Sequence, residues 1–163
     1  MRYWLMFMTV GKGGADVFPD CKQRGIAALD YCWGNGLKKR IVGDCRKLSE
    51  REYKDLWRSR ARRNGTGNIS LRRLWKEMKV GDVIYAKTIP WIVGKGSIIG
   101  EYEFDSNILN GTTGAKWGHF VRVAWKNDFI KFKFSSPSRK HTISEIINPD
   151  LKKLLKAERA AGA

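Results

Sequence analysis

The sequence is poor in the residues most enzymes use for chemistry. It has two histidines, His119 and His141, in neither HxxxH nor HExxH spacing. Its three cysteines, Cys21, Cys32 and Cys45, form no CxxC pair. Zinc sites and disulfide frameworks need closer or paired spacings, so the thiols are expected to be buried in a reducing cytoplasm, with no metal and no cofactor. No GxSxG elbow and no Walker A segment occurs, which removes two common hydrolase routes. Gly94-Lys-Gly96-Ser-Ile-Ile-Gly100 departs by one residue from a dinucleotide fingerprint and precedes a strand pattern, so its glycines read as strand glycines. Gly11-Lys-Gly-Gly14 reads as a turn. The sixteen acids show no cluster of the kind a metal-dependent nuclease needs. No apolar run approaches the ~18 residues of a membrane span. The opening Met1–Met8 is too short for a secretory leader and no cleavage signal follows it. These absences predict a cytoplasmic protein that is neither an enzyme nor a membrane partner. A small nuclease or base-modifying enzyme is the rival from another class.

Basic and aromatic residues are abundant. Thirty-two Lys and Arg against sixteen Asp and Glu give a formal net charge of +16, and the chain has seven Trp, five Tyr and seven Phe. A folded domain of that charge repels itself and suits a polyanion, so nucleic acid is the expected partner. The 163 residues, 42% of them hydrophobic, are enough for one domain with a real core. Residues 1–160 are taken as that domain and 161–163 as a tail or linker.

Along the chain, residues 3–10 read as a strand buried on both faces. Residues 20–33 read as a short helix ending near Trp33, before the turn Gly34-Asn35-Gly36. A short strand is expected at 40–43. Ser49-Glu-Arg-Glu52 is a capping box, opening a helix to about Arg63, stopped by Asn64-Gly65-Thr66-Gly67. Ser70 is expected to cap a second helix, with Leu71, Leu74, Trp75 and Met78 on its core stripe. Strands are expected at 83–86, as a pair broken by glycines over 92–104, at 117–125 and at 129–134. Thr142-Ile-Ser-Glu145 resembles another capping box, and Pro149 opens a last helix carrying Leu151, Leu154 and Leu155. This order predicts an α+β fold: a curved mixed sheet or small barrel with flanking helices.

Trp4, Trp75 and Trp125 sit in apolar patterns and read as core, and Trp57 as half-buried. Trp33, Trp91 and Trp117 lie beside loops, where tryptophans of a basic protein are candidate stacking platforms.

Three segments carry a family resemblance: Ser70–Lys87, with Leu74-Trp75 leading to Gly81-Asp82 and a strand; Ile92–Tyr102, with Gly94-x-Gly96; and His119–Trp125, ending Val-Ala-Trp. In order and spacing they resemble the EVE/YTH group of PUA-like domains, especially the amino-terminal modules of McrB-type, modification-dependent restriction proteins. Arg2-Tyr-Trp-Leu5 is similar to the first strand of EVE domains. The resemblance implies a PUA-like fold and a methylated DNA base, N6-methyladenine first, flipped into an aromatic cage. Trp33 and Trp117 would be two walls, Gln23 would touch the base edge and the Gly34 backbone would accept from the methylamino group. The family's further cage aromatic falls on Thr112, so Trp91 or Tyr102 stands in for the third wall. The insertion between Trp33 and Ser70 also departs from the pattern. Phosphate contacts are expected from Arg58, Arg60, Arg62, Arg63, Arg72, Arg73, Lys76, Lys87, Arg139 and Lys140. The resemblance further implies one module of a longer protein, working with an AAA+ motor and a nuclease subunit. A PUA-like module reading modified or structured RNA is the alternative.

Overall fold

The computed structural model describes residues 1–9, 16–30, 32–33, 40–41, 43–58, 66–109, 117–135 and 142–162. Its strands are β1 (Tyr3–Phe7), β2 (Ile26–Asp30), β3 (Cys32–Trp33), β4 (Arg40–Ile41), β5 (Val83–Thr88), β6 (Trp91–Phe104), β7 (Trp117–Trp125), β8 (Phe132–Lys133) and β9 (Ile143–Glu145). Its helices are α1 (Phe18–Arg24), α2 (Glu50–Arg58), α3 (Thr66–Arg72) and α4 (Asp150–Gly162). The main sheet runs β2-β7-β6-β5-β1-β9, with β8 beside the start of β6. Among the described residues only β1 and β5 pair in parallel; the other pairs are antiparallel. The class is α+β, as expected. Among the described residues the sheet is open between β2 and β9, so the barrel alternative is not realised there.

β1 has β5 on one side and β9 on the other. Both of its edges are thus paired and a core covers each face, so its sequence is a continuous apolar run rather than an alternating one. Trp4 and Met6 enter one core, beneath α1 and α3, with Ile84, Phe120 and Val121. Leu5 points into a second core with Tyr85, Ile92, Phe132 and Leu154 of α4. α4 is fastened by Glu158, which accepts from the Tyr85 hydroxyl at 2.7 Å and pairs with Lys95 at 2.8 Å.

Several expected elements differ from those observed. The helix expected over 20–33 ends at Arg24, because Gly25 takes φ +64° and its N–H turns back to Cys21 and Lys22. That left-handed cap suits glycine, and Ile26–Asp30 then joins the sheet. Ser70 is not a cap, since α3 begins at Thr66. Its hydroxyl instead accepts from the Ile143 N–H at 3.1 Å. Thr142–Glu145 is no capping box, because pairing with β1 makes it a strand. Residues 92–104 belong to one 14-residue strand rather than two. Its glycines mark close approach: a Cβ on Gly94 would lie 2.1 Å from the Phe18 ring, and one on Gly96 2.8 Å from the Ala124 carbonyl. The expected tail is helical through Gly162. The Ser49–Glu52 box is present, with both reciprocal bonds, at 2.7 and 3.2 Å. The expected end of its helix near Arg63, the turns at 11–14 and 34–36 and the Asn64-Gly65 part of the expected stop lie outside the described residues. Thr66 and Gly67, the rest of that stop, already belong to α3.

Asp82 joins the amino terminus to the sheet. Its carboxylate, 4% exposed, accepts from the Trp4 indole at 2.9 Å, the Arg2 N–H at 2.8 Å and the Lys79 N–H at 3.1 Å. Burial by itself would raise the Asp82 carboxyl, but these bonds outweigh it and hold it below the ordinary carboxylate value. The Arg2 guanidinium does the same for Glu145. A depressed folded value means stability that is present above the unfolded value near ~4 and is lost as pH falls through the folded value. Asp82→Ala strands the buried Trp4 N–H and is expected to cost about 3 kcal/mol in urea unfolding. The variant should also lose less stability than the wild type between about pH 5 and pH 2. An unchanged urea midpoint would contradict this role.

Candidate nucleic-acid interface

The site is built at one end of the sheet. β2 leaves there at Asp30, which pairs with Trp117, the first residue of β7, across a register shift between Leu29 and Asp30. Such irregularities re-aim the chain and recur beside binding sites. Three residues beyond Asp30, Trp33 ends β3 and pairs with Arg40 of β4. Trp117 thus starts β7 at this sheet end, and Trp33 follows Asp30 by three residues in the separate β3–β4 pair. Their side chains, like that of Arg58, lie outside the described residues, as do Gly34, Arg60, Arg62, Arg63, Arg139 and Lys140.

Beneath this end is a buried aromatic network. His119, fully buried on β7, has its Nδ1 2.7 Å from the Tyr102 hydroxyl. The same hydroxyl accepts from the Cys45 N–H at 3.1 Å, which ties the segment before α2 to the sheet. Tyr102 stacks on His119 with ring centroids 5.8 Å apart, and Phe104 approaches it at 5.0 Å. On the other side of Tyr102 stands Trp75, centroids 6.5 Å apart, and beyond it Tyr53 at 5.3 Å. Trp75 sits on a π-helical turn, Arg73–Glu77, closed by Met78 N–H donating to the Arg73 carbonyl at 2.9 Å. Such turns are frequent at functional sites. The turn leaves Trp75 half-buried, with the Lys76 ammonium 3.9 Å from its ring centroid.

The other expected contacts fall in different places. Tyr102 is 6% exposed with its hydroxyl engaged, so it supports the site rather than walling it. Burial also pushes its phenol pKa up. Trp91 starts β6 while Phe104 ends it. At ~3.3 Å per residue that strand is up to ~45 Å long, so Trp91 cannot share a cage with Trp117. Gln23 is exposed on α1 beside Gly25, at the Ile26 end of β2. The length of that strand, roughly 13 Å, separates it from the Trp33 end. Lys87 is a correction. It is 4% exposed and its ammonium donates to the Phe134 carbonyl at 2.7 Å, so it offers nothing to a phosphate. Arg73 is half-buried and bonds the Ile143 carbonyl. Arg72 and Lys76 are exposed. The Tyr53–Trp75 pair was missed in the sequence, where the apolar stripe of α3 made Trp75 read as plain core. Among the described residues no group of three or more His, Cys, Asp or Glu could hold a metal, and no helix is long and apolar enough to cross a membrane.

The fold and this sheet end define a basic α+β domain with an aromatic-lined terminus. The family model described as a domain of unknown function (DUF8426) matches residues 4–145, and the chain belongs to that family. No curated protein matches it. Among solved structures, a hypothetical protein from Leishmania major is similar over 100% of this chain and 98% of its own, with TM-score 0.50 and 12% identity. Protein Atu2648 from Agrobacterium tumefaciens is similar over 99% of this chain and 94% of its own, with TM-score 0.46 and 12% identity. The first likeness concerns the fold alone.

Burial pushes the Cys45 thiol up to about 11, against a lowering bond from Tyr102, and the Cys21 thiol up to about 12. Both are therefore protonated and shielded at neutral pH. A thiol-specific reagent should label at most one cysteine, Cys32, in the native protein and all three in denaturant. Rapid native labelling of Cys45 would contradict the packing of this end, and rapid labelling of Cys21 the packing of α1 on the core.

Proposed function

We propose that this chain is a non-enzymatic DNA-binding specificity domain of PUA-like (EVE/YTH) type. It reads a methylated base, N6-methyladenine, flipped into an aromatic cage, as part of a modification-dependent restriction system. The observation that carries the reading is the pairing of Trp117 with Asp30, three residues before Trp33. In this reading Trp33, three residues along the chain from that pair, joins Trp117 at one end of the main sheet in a protein of net charge +16. In this reading the third aromatic is Trp75, and the Gly34 backbone accepts from the methylamino group. Arg72 and Lys76 contact phosphates beside it, and an AAA+ motor and a nuclease subunit act on the DNA so marked.

The magnitudes fix the division of labour. Extruding a base costs a few kcal/mol. Stacking between aromatics returns roughly 1–3 kcal/mol per base. One buried methyl adds about 0.8 kcal/mol, or about fourfold in affinity. Affinity therefore comes chiefly from phosphate contacts, and the cage supplies the choice of base.

Trp33→Ala or Trp117→Ala should abolish the preference for the methyladenine duplex, weakening binding to it by about fourfold more than binding to the unmodified duplex. Titration of both duplexes with each variant checks this. Equal losses on both duplexes would mean that these residues do not read the methyl group. Tighter binding to RNA of the same sequence would favour the RNA-reading alternative.

A further inference from the structure

The far end of the sheet carries a cationic and aromatic group that the base-reading end does not use. β8 pairs with the first residues of β6, Trp91 opposite Lys133 and Ile92 opposite Phe132. Strand alternation sends Phe132 into the core beneath α4, where it is 6% exposed, and leaves Lys131 and Lys133 in solvent. Both ammoniums rest against the Trp91 ring, 5.5 and 5.3 Å from its centroid. Among the described residues neither has a carboxylate within 4.0 Å, whereas Arg2, Lys95 and Arg122 are each paired with a glutamate. Residues two apart on a strand lie ~7 Å from each other, so two like charges are held together with only a ring to steady them. That arrangement is unfavourable in the free protein and favourable once an anion with two charges along a line is present.

We propose that Trp91, Lys131 and Lys133 form a second nucleic-acid contact, in which the indole orders the two lysines to bind neighbouring backbone phosphates of the DNA whose base is held at the Trp33–Trp117 end. The inference rests on the function proposed above and extends it with a second, sequence-independent anchor. The half-buried indole is covered by ammoniums, so this patch presents charge outward, which suits phosphates better than acyl chains. Exposed Ile89 and Ile130, at 53% and 56%, flank the patch and make an anionic lipid surface the outcome to exclude.

The test is duplex binding by Lys131→Gln/Lys133→Gln across ~50 to ~200 mM salt, beside a control, Lys152→Gln/Lys156→Gln, that removes the same charge from exposed positions on α4. Two lost phosphate contacts should reduce the slope of log K against log salt by ~1.8 and weaken binding about 30-fold at ~150 mM. The control should change the slope far less, and the preference for the methylated duplex should survive in the double variant. An unchanged slope, or an equal fall in the control, overturns this contact and leaves the base reading intact. Wild-type protein with no methyl preference, but with the slope still falling in the double variant, overturns the base reading and leaves the contact. Loss of binding to phosphatidylserine vesicles with duplex binding unchanged overturns the contact in favour of a membrane surface.

Discussion

One buried carboxylate organises the centre of this molecule. Asp82 receives the indole N–H of Trp4 and two backbone N–H groups, and so locks β1 beside β5 as a parallel pair. Parallel neighbours cannot be joined by a tight turn, and here nearly eighty residues separate them. The loop-closure cost is met locally by charge-assisted bonds in a low-dielectric setting and by two cores that share β1 as a wall. With β1 fixed, β9 adds to its free edge, and β5, β6 and β7 extend the sheet on the other side to the edge strand β2.

That architecture gives the sheet two distinct ends. At one, the irregular pairing of Asp30 with Trp117 and the stack running from Tyr53 through Trp75 and Tyr102 to His119 make a rigid aromatic base. At the other, Trp91 holds a pair of lysines. In the proposed function this order matters, because stacking on a preordered platform avoids the entropy of arranging side chains during binding. The hydrogen bonds of the buried Tyr102 hydroxyl to Cys45 and His119 supply that order.

Much of the fold was legible in the sequence. The unbroken apolar run at Tyr3–Phe7 signalled an interior strand, and Ser49 with Glu52 signalled a helix start. Gly94 and Gly96 signalled close approach within a strand rather than a nucleotide loop. What misled were signals whose meaning depends on partners far along the chain. Thr142–Glu145 has the spacing of a helix cap, but the edge of β1 captures it as a strand. Ser70 has the chemistry of a cap, yet it spends its hydroxyl on Ile143. Lys87 looked like a surface cation, and the pleat of β5 turns it inward to a carbonyl. Trp91 and Tyr102 were plausible cage walls until strand pairing placed one at the opposite end of β6 and the other beneath the surface.

The central claim is that this chain distinguishes a methylated base, and the most direct test is its affinity for one duplex prepared unmodified, with N6-methyladenine and with 5-methylcytosine. At ~150 mM salt, where nonspecific phosphate binding is weakened, the account predicts clearly tighter binding to the methyladenine duplex than to the other two. Equal binding to all three would contradict it and leave a basic nucleic-acid binder without a base-reading cage.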